Sequence, residues 1–246
     1  MISIHPAGTL PAAIISVSFA VLARGLGAVT DGGALMGALI AFILMYAAGL
    51  WAFLPLFAVL LMTMLATRWG ADRKSSLGIA ERSGGRNARQ VLANLGAAGV
   101  CALAASAFSG RAAVLMVGAM AVLAEAAADT VSSEIGQALP TRPRLILGFD
   151  PVPPGTNGAI SLEGTFAGCI AASLAAWTAS FAGVVSWRWA PLISLIGVAG
   201  MLFDSILGAG FENRGDMGND SVNFVSTVFA ADLALVAALL LHHRML

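Results

Sequence analysis

Long uncharged apolar runs joined by short polar connections constrain this chain more than any other feature. A helix needs about 20 mainly apolar residues to cross the hydrocarbon core of a bilayer. No water is present there to satisfy open peptide groups, so helices or closed barrels must do it internally. Spans are expected at 10–29, 33–49, 53–69, 92–109, 112–129, 159–183, 189–209 and 222–241. The second and third form one apolar stretch, interrupted only by Gly49, Trp51 and Pro55, where a tight hairpin is expected. Only 11% of the residues are charged and 59% are hydrophobic, against roughly 25% and 45–50% in soluble globular chains. The fold class that follows is all-α, a polytopic helical membrane protein with about 7–8 transmembrane helices.

The cations set the orientation. The connection after the third run, with its edges, holds Arg68, Arg73, Lys74, Arg82, Arg86 and Arg89. With that connection in the cytoplasm, Arg24, Arg142, Arg144 and Arg214 also fall inside, and Arg111, Arg188 and Arg244 stay outside. This asymmetry is what the positive-inside rule demands, and it places both termini outside. The expected location is the cell membrane, with the motif-bearing loops on its cytoplasmic face. The expected organisation is a single integral membrane domain over 1–246: N-terminal spans (1–69), a cytoplasmic basic loop (70–91) and motif-bearing spans (92–246). The first cation, Arg24, follows the first apolar run, so no cleaved signal peptide is expected. Net charge is zero, which argues against nucleic acid as a partner. Cys101 and Cys169 lie in apolar runs and suggest neither a disulfide framework nor a zinc site. His5, His242 and His243 lack metal-ligand spacing. The tryptophans, Trp51, Trp69, Trp177, Trp187 and Trp189, sit near run ends, as interfacial residues do. Gly33 and Gly37 permit close helix packing within one chain or between chains, so the oligomeric state stays open.

Four polar segments on the predicted inner side carry candidate chemistry. In 81–94, paired glycines beside Arg86 and Arg89 let backbone N–H groups and guanidinium forks converge on phosphate, or serve as a basic loop on anionic lipid. In 125–136, Glu125 and Asp129 share a helix face with Ser132 and Ser133 close by. Like charges at that spacing call for a cation, either Mg²⁺ or the loop arginines. In 152–165, prolines end any preceding helix, and glycines bracket Thr156 and Asn157 ahead of Ser161, a turn suited to an anion at a helix start. In 203–210, Asp204 and Ser205 lie inside an apolar span, where an ionised group needs a polar cavity or partner. Asp232 lies in the last span with no polar motif around it, and Asn219, Asp220 and Asn223 read as a helix start, with Asn223 able to face the cavity instead. Together these segments suit a phosphorylated lipid with its tail in the bilayer and its head at the surface. Phosphoryl transfer there needs mostly positioning and charge neutralisation.

The ordered motifs GGR-x(3)-QV-x-AN (84–94), ADTVSSEIG (128–136), VPPGTNGAISLEGT (152–165), DSILGA (204–209) and VNF (222–224) resemble the membrane-protein family known as domain of unknown function 92, over most of the chain beyond residue 60. That family includes a plant phytyl-phosphate kinase of tocopherol synthesis. The resemblance implies phosphoryl transfer from CTP or another nucleoside triphosphate to an isoprenyl monophosphate, giving the diphosphate. It makes Asp129, Glu134 and Asp204 the metal-ligand and catalytic candidates, with Mg²⁺ as the cation. Arg86 and Arg89 would hold phosphates, Asn94 would orient one, and Ser132, Ser133, Thr156, Asn157 and Ser161 would line the cavity. An arginine, Arg68, follows Thr67 at the end of the third run, where the family resemblance suggests lysine. Two other activities use similar residues: a cytidylyltransferase forming a CDP-lipid, and a transporter or flippase with an ion path through Glu125, Asp204 and Asp232.

Overall fold

The computed structural model describes residues 8–80 and 84–245. Nine α-helices are found among them: α1 Thr9–Gly25, α2 Asp31–Ala48, α3 Phe53–Arg68, α4 Ala71–Ser76, α5 Ala88–Ala107, α6 Ala112–Ala138, α7 Leu162–Phe181, α8 Ala190–Leu207 and α9 Asn219–Met245. Seven are long and apolar enough to cross a membrane, and α1 is a shorter apolar helix. The chain is therefore an integral, multi-pass membrane protein. The expected hairpin is present. Gly49 takes φ 87°, a 3₁₀ turn follows over Leu50–Ala52, and α2 and α3 are separate helices. Pro55 sits in the first turn of α3, where its missing N–H costs no helical bond.

Helix α6 is the hub. Of its span 78% is buried, against 33–44% for the others. Its small residues let neighbours approach closely. A Cβ on Gly197 of α8 would strike Ala124, and one on Gly168 of α7 would strike Met201 and the Ala128 carbonyl. Helix α6 also runs nine residues past the expected end at 129, so residues 128–136 lie on a continuous helix. Large apolar side chains such as Leu35, Phe166, Phe181, Leu195 and Leu240 point outward, an apolar surface that suits lipid. Trp51, Trp69 and Trp187 are exposed near helix ends, but Trp189 is buried, contrary to its expected interfacial place.

The α1–α2, α3–α5, α6–α7 and α8–α9 connections meet at one end of the bundle. Val29 bridges Arg86, with Thr30 N donating to the Arg86 carbonyl at 3.0 Å and Arg86 N donating to the Ala28 carbonyl at 3.0 Å. Gly70 abuts Ala138, and Gly155 abuts Ile79. A two-stranded ribbon, β1 Arg144–Leu145 with β2 Ala159–Ile160, holds the α6–α7 connection. Gly33 presses on the Arg86 carbonyl within the same chain, whereas a Cβ on Gly37 would meet nothing. Of that pair, only Gly33 makes a close helix-to-backbone contact.

Candidate functional site

At about 100° per residue, Glu125, Asp129, Ser132, Ser133 and Gly136 fall on one face of α6. Apart from Glu125, which lies one turn deeper, they border a polar cavity of about 130 Å³. Opposite them stand Asp204 and Ser205 of α8, Glu212, Asn223 of α9, and Thr156, Asn157 and Ser161 of the α6–α7 connection. Two close approaches build this wall. Gly164 leaves no room for a Cβ against the Ser132 carbonyl, so α7 crosses α6 beside the serines. Gly158, at φ 72°, lies against the Ser205 carbonyl and Ala209, seating the 152–158 turn under the end of α8. Asn213 Nδ2 donates to the Asn157 carbonyl at 2.9 Å. The α8 helix loosens there into a π turn, Gly208–Glu212, a distortion that often marks functional sites. Ser161 also caps α7, accepting from Gly164 N at 3.1 Å.

A buried polar network continues below the cavity. Ser226 of α9, fully buried, has its Oγ 2.8 Å from Glu125 Oε1 and 3.1 Å from Asp204 Oδ2. The second oxygen of Glu125, Oε2, is buried with no hydrogen-bond partner. The Asn223 amide lies 3.0 Å from Asn94 Oδ1 and, turned over, donates to Asp204 Oδ2 at 3.3 Å. Ser226 is thus a site residue that the sequence did not single out, whereas Glu125 was marked beside Asp129 and Asn223 chiefly as a helix start. Ser226 and Thr227 were visible as adjacent polar residues in an apolar span, which normally face the bundle interior.

Glu134 stands apart. It lies about 140° around α6 from Asp129, facing α3 and α4. It accepts from Lys74 Nζ at 2.6 Å and Thr67 Oγ1 at 3.2 Å. Lys74 is buried, and the same ammonium donates to the Thr67 and Ala66 carbonyls at 2.6 and 3.2 Å, closing the end of α3. Lys74 therefore supplies a cation at the end of the third span, from six residues beyond the expected position. Nothing local marked it, because a lysine in a basic loop ordinarily reads as solvated. Arg89 is also turned away from the cavity, with Nε 3.2 Å from Asp220 Oδ2 at the start of α9. In its motif, Asn87 and Gln90 form a capping box that starts α5.

On the other side of α6 lies a larger, mainly apolar cavity of about 260 Å³, walled by α1, α2, α3 and α5. Arg68, Arg86, Thr67, Asn94 and Thr130 gather at its loop end. Arg86 is also near enough to Asp129 for their charges to interact, so it stands between the two cavities. Asn94 does the same through Asn223.

The donor set of the polar cavity is carboxylate, hydroxyl and amide oxygen, the chemistry Mg²⁺ prefers. Asp129, Asp204 and Glu212 lie close enough for their charges to interact, a repulsion that a bound cation would relieve. Among the described residues no three acidic, His or Cys side chains form a ready metal cage. Mg²⁺ ordinarily takes one or two carboxylates and completes its shell with water and substrate phosphates, so two aspartates on one cavity fit it.

The model of an integral membrane protein family, DUF92, matches residues 14–231. An uncharacterized membrane protein of Methanocaldococcus jannaschii is 31% identical over 80% of each chain. The chloroplast protein VTE6 of Arabidopsis thaliana is 33% identical over 75% of this chain, which spans only 57% of that protein. An uncharacterized membrane protein of a Synechocystis strain is 33% identical over 74% of this chain and 72% of its own length. No solved structure matches. With the family match running from within α1 to within α9 and covering the residues of both cavities, the chain belongs to the DUF92 family of integral membrane proteins.

Proposed function

We propose that the protein is a membrane-embedded isoprenyl-phosphate kinase, transferring the terminal phosphoryl group of CTP or another nucleoside triphosphate to a lipid monophosphate. The observation that carries the reading is the polar cavity itself, where Asp129 and Asp204 face a turn of Thr156, Asn157 and Ser161 at the bundle's loop end. The similarity to VTE6 supports the choice of prenyl-phosphate chemistry. A lipid-phosphate oxygen forms a bond to the terminal phosphorus, the bond to the bridging oxygen breaks, and a nucleoside diphosphate leaves. When bound, Mg²⁺ would neutralise phosphate charge, and Asp129 and Asp204 are the residues that would hold it. Arg86 lies beside Asp129 and counters charge on the transferring group. Ser132, Ser133, Thr156 and Asn157 offer donors to phosphate oxygens. The positive-inside asymmetry supports a cytoplasmic position for this end, where nucleotide is available.

The ion path of the transporter reading is interrupted. Glu125 and Asp204 are joined through Ser226, but Asp232 is exposed on the far side of α9, about 180° from Asn223. The test is incubation of the purified protein with Mg²⁺, an isoprenyl monophosphate and each nucleoside triphosphate, with products read by mass spectrometry. Lipid diphosphate plus nucleoside diphosphate is the expected result. A CDP-lipid with pyrophosphate would reassign the site to cytidylyl transfer, and no turnover across a broad lipid panel by folded protein would overturn the kinase reading.

A further inference from the structure

The second cavity shares only Arg86 with the phosphoryl transfer just described, yet its shape is specific. Along α3 its lining runs from Leu56 to Arg68, a rise of about 18 Å, more than half of the ~30 Å hydrocarbon core. The walls along most of that length are apolar: Phe19 and Ala23 of α1, Ala34 and Gly37 of α2, Leu56 and Leu60 of α3. Its inner end is stopped by an aromatic cluster, with Phe19 edge-on to Phe53 at 4.9 Å and near Phe57 at 6.4 Å. Its outer end carries two guanidinium groups, on Arg68 and Arg86. Arg68 is held there by a 2.6 Å bond to the Leu26 carbonyl. An apolar slot closed by aromatic rings and headed by two cations complements an apolar chain that ends in an anion.

We propose that this cavity seats the acceptor lipid, an isoprenyl monophosphate, with its chain between α1, α2 and α3, its phosphate at Arg68 and Arg86, and its far end limited by Phe19. The proposal rests on the kinase reading for the identity of the chain and locates a substrate that the polar cavity alone leaves unplaced. Arg86 and Asn94 stand at the boundary with the polar cavity, so a phosphate at the slot's mouth lies on the side from which transfer occurs. The geometry also supplies a probe. Gly37 lines the slot and a Cβ there meets nothing within 4 Å, so a larger side chain there starts in open space beside the slot. Leucine is also the better helix former.

The experiment measures binding without nucleotide. Intact protein in detergent is titrated with geranylgeranyl monophosphate, geranylgeraniol and inorganic phosphate, and complexes are read by native mass spectrometry. The same is done for Gly37→Leu and Gly37→Ala. Wild type should bind the lipid phosphate about tenfold or more tighter than either half alone. Gly37→Leu should weaken it by about tenfold or more and Gly37→Ala much less, with the lipid-free melting temperature held or raised. A chain-end diazirine analogue should label α1 or α3 in wild-type protein, which keeps the test decisive if Gly37→Leu folds poorly. Wild-type affinity in Gly37→Leu, or labelling confined to α7–α9, would overturn the proposal. Lipid binding that Gly37→Leu abolishes, with no nucleotide-dependent turnover in wild type, would sink the kinase reading and leave the lipid seat standing. Turnover that Gly37→Leu does not touch would do the reverse.

Discussion

The two cavities share α6 as a common wall and differ in how they are made. The polar one is enclosed by loops and helix ends: the 152–158 turn docked at Gly158, the π turn after α8, and the first turns of α9. The apolar one is enclosed by helix sides, with loops only at its mouth. Each construction suits its chemistry. Helix ends and turns present unsatisfied backbone and short polar side chains, which phosphate and cations need. Helix sides inside a bilayer present apolar residues at regular spacing and offer length rather than donors. Asp129 and Glu134, five residues apart on α6, also differ: one borders the polar cavity, and the other lines neither cavity and is held in a buried ion pair with Lys74.

The division predicts different kinetic failures, and the largest should come from the polar side. Under the proposed kinase activity, Asp129→Asn and Asp204→Asn remove charge needed during transfer, so each should lower kcat by about 10²–10³-fold. Lipid binding should change little. Steady-state kinetics beside lipid titration would break the comparison if either variant lost affinity for lipid and kept its kcat. Equally, a Gly37→Leu protein that lost kcat rather than affinity would show that the cavities do not divide the work.

The Lys74–Glu134 pair sharpens the contrast within α6. Lys74 is 2% and Glu134 13% exposed on their side chains. Removing one partner of a buried pair leaves the other charge uncompensated, at a cost of about 3–5 kcal/mol. Lys74→Met should therefore lower the unfolding free energy by about that much, and Lys74→Met with Glu134→Gln should recover much of it. A thermal or denaturant double-mutant cycle reads both. If the double variant regained stability yet turned over as slowly as Asp204→Asn, Glu134 would belong with the metal-binding candidates after all.

The sequence showed the spans and the polar segments because both are local properties. Apolar length fixed seven or eight helices, and Gly49 with Pro55 marked the α2–α3 break. What it could not show was which polar residues meet. Lys74 reaches Glu134 only because Gly70 turns left-handed against Ala138 and folds α4 back under α6. Ser226 reaches Glu125 across 101 residues of chain. Helical phase alone separates Glu134 from Asp129, however, and that much was written in the five-residue spacing. Trp189 shows the opposite limit: a tryptophan near a span end is often interfacial, but packing at the α7–α8 connection buries this one.

A smaller effect is expected where a loop rather than a side chain shapes the polar cavity. Gly158→Ala adds a methyl group where the Ser205 carbonyl and Ala209 already fill the space, at a φ of 72°. The turn must shift away from α8, at a cost of about 1–3 kcal/mol. Because Thr156 and Asn157 ride on that turn, the nucleotide KM should rise while lipid affinity holds. An unchanged KM in a folded Gly158→Ala protein would mean that the turn encloses the cavity without contacting substrate.

The smallest effect should come from an acidic residue of the spans that touches neither cavity and faces outward. Asp232 lies midway along α9 and is exposed on the outer side of the bundle. An ionised aspartate at the centre of a span costs about 2.5–3.5 kcal/mol to insert, which makes it look like a functional group. That cost, however, is incurred on entering the membrane, and the unfolded helices in the bilayer bear it as well. Asp232→Leu should therefore change the unfolding free energy by only about 1 kcal/mol or less, since both states lose the same expense. Turnover and lipid affinity should match wild type. If turnover fell as it does in Asp204→Asn, a path through α9 would connect its outer side to the Ser226 network. The division of labour between two cavities would then give way to conduction through three acidic groups. Equal turnover, with Asp204→Asn inactive in the same preparation, would confine the working carboxylates to the side of α9 that faces α6 and α8.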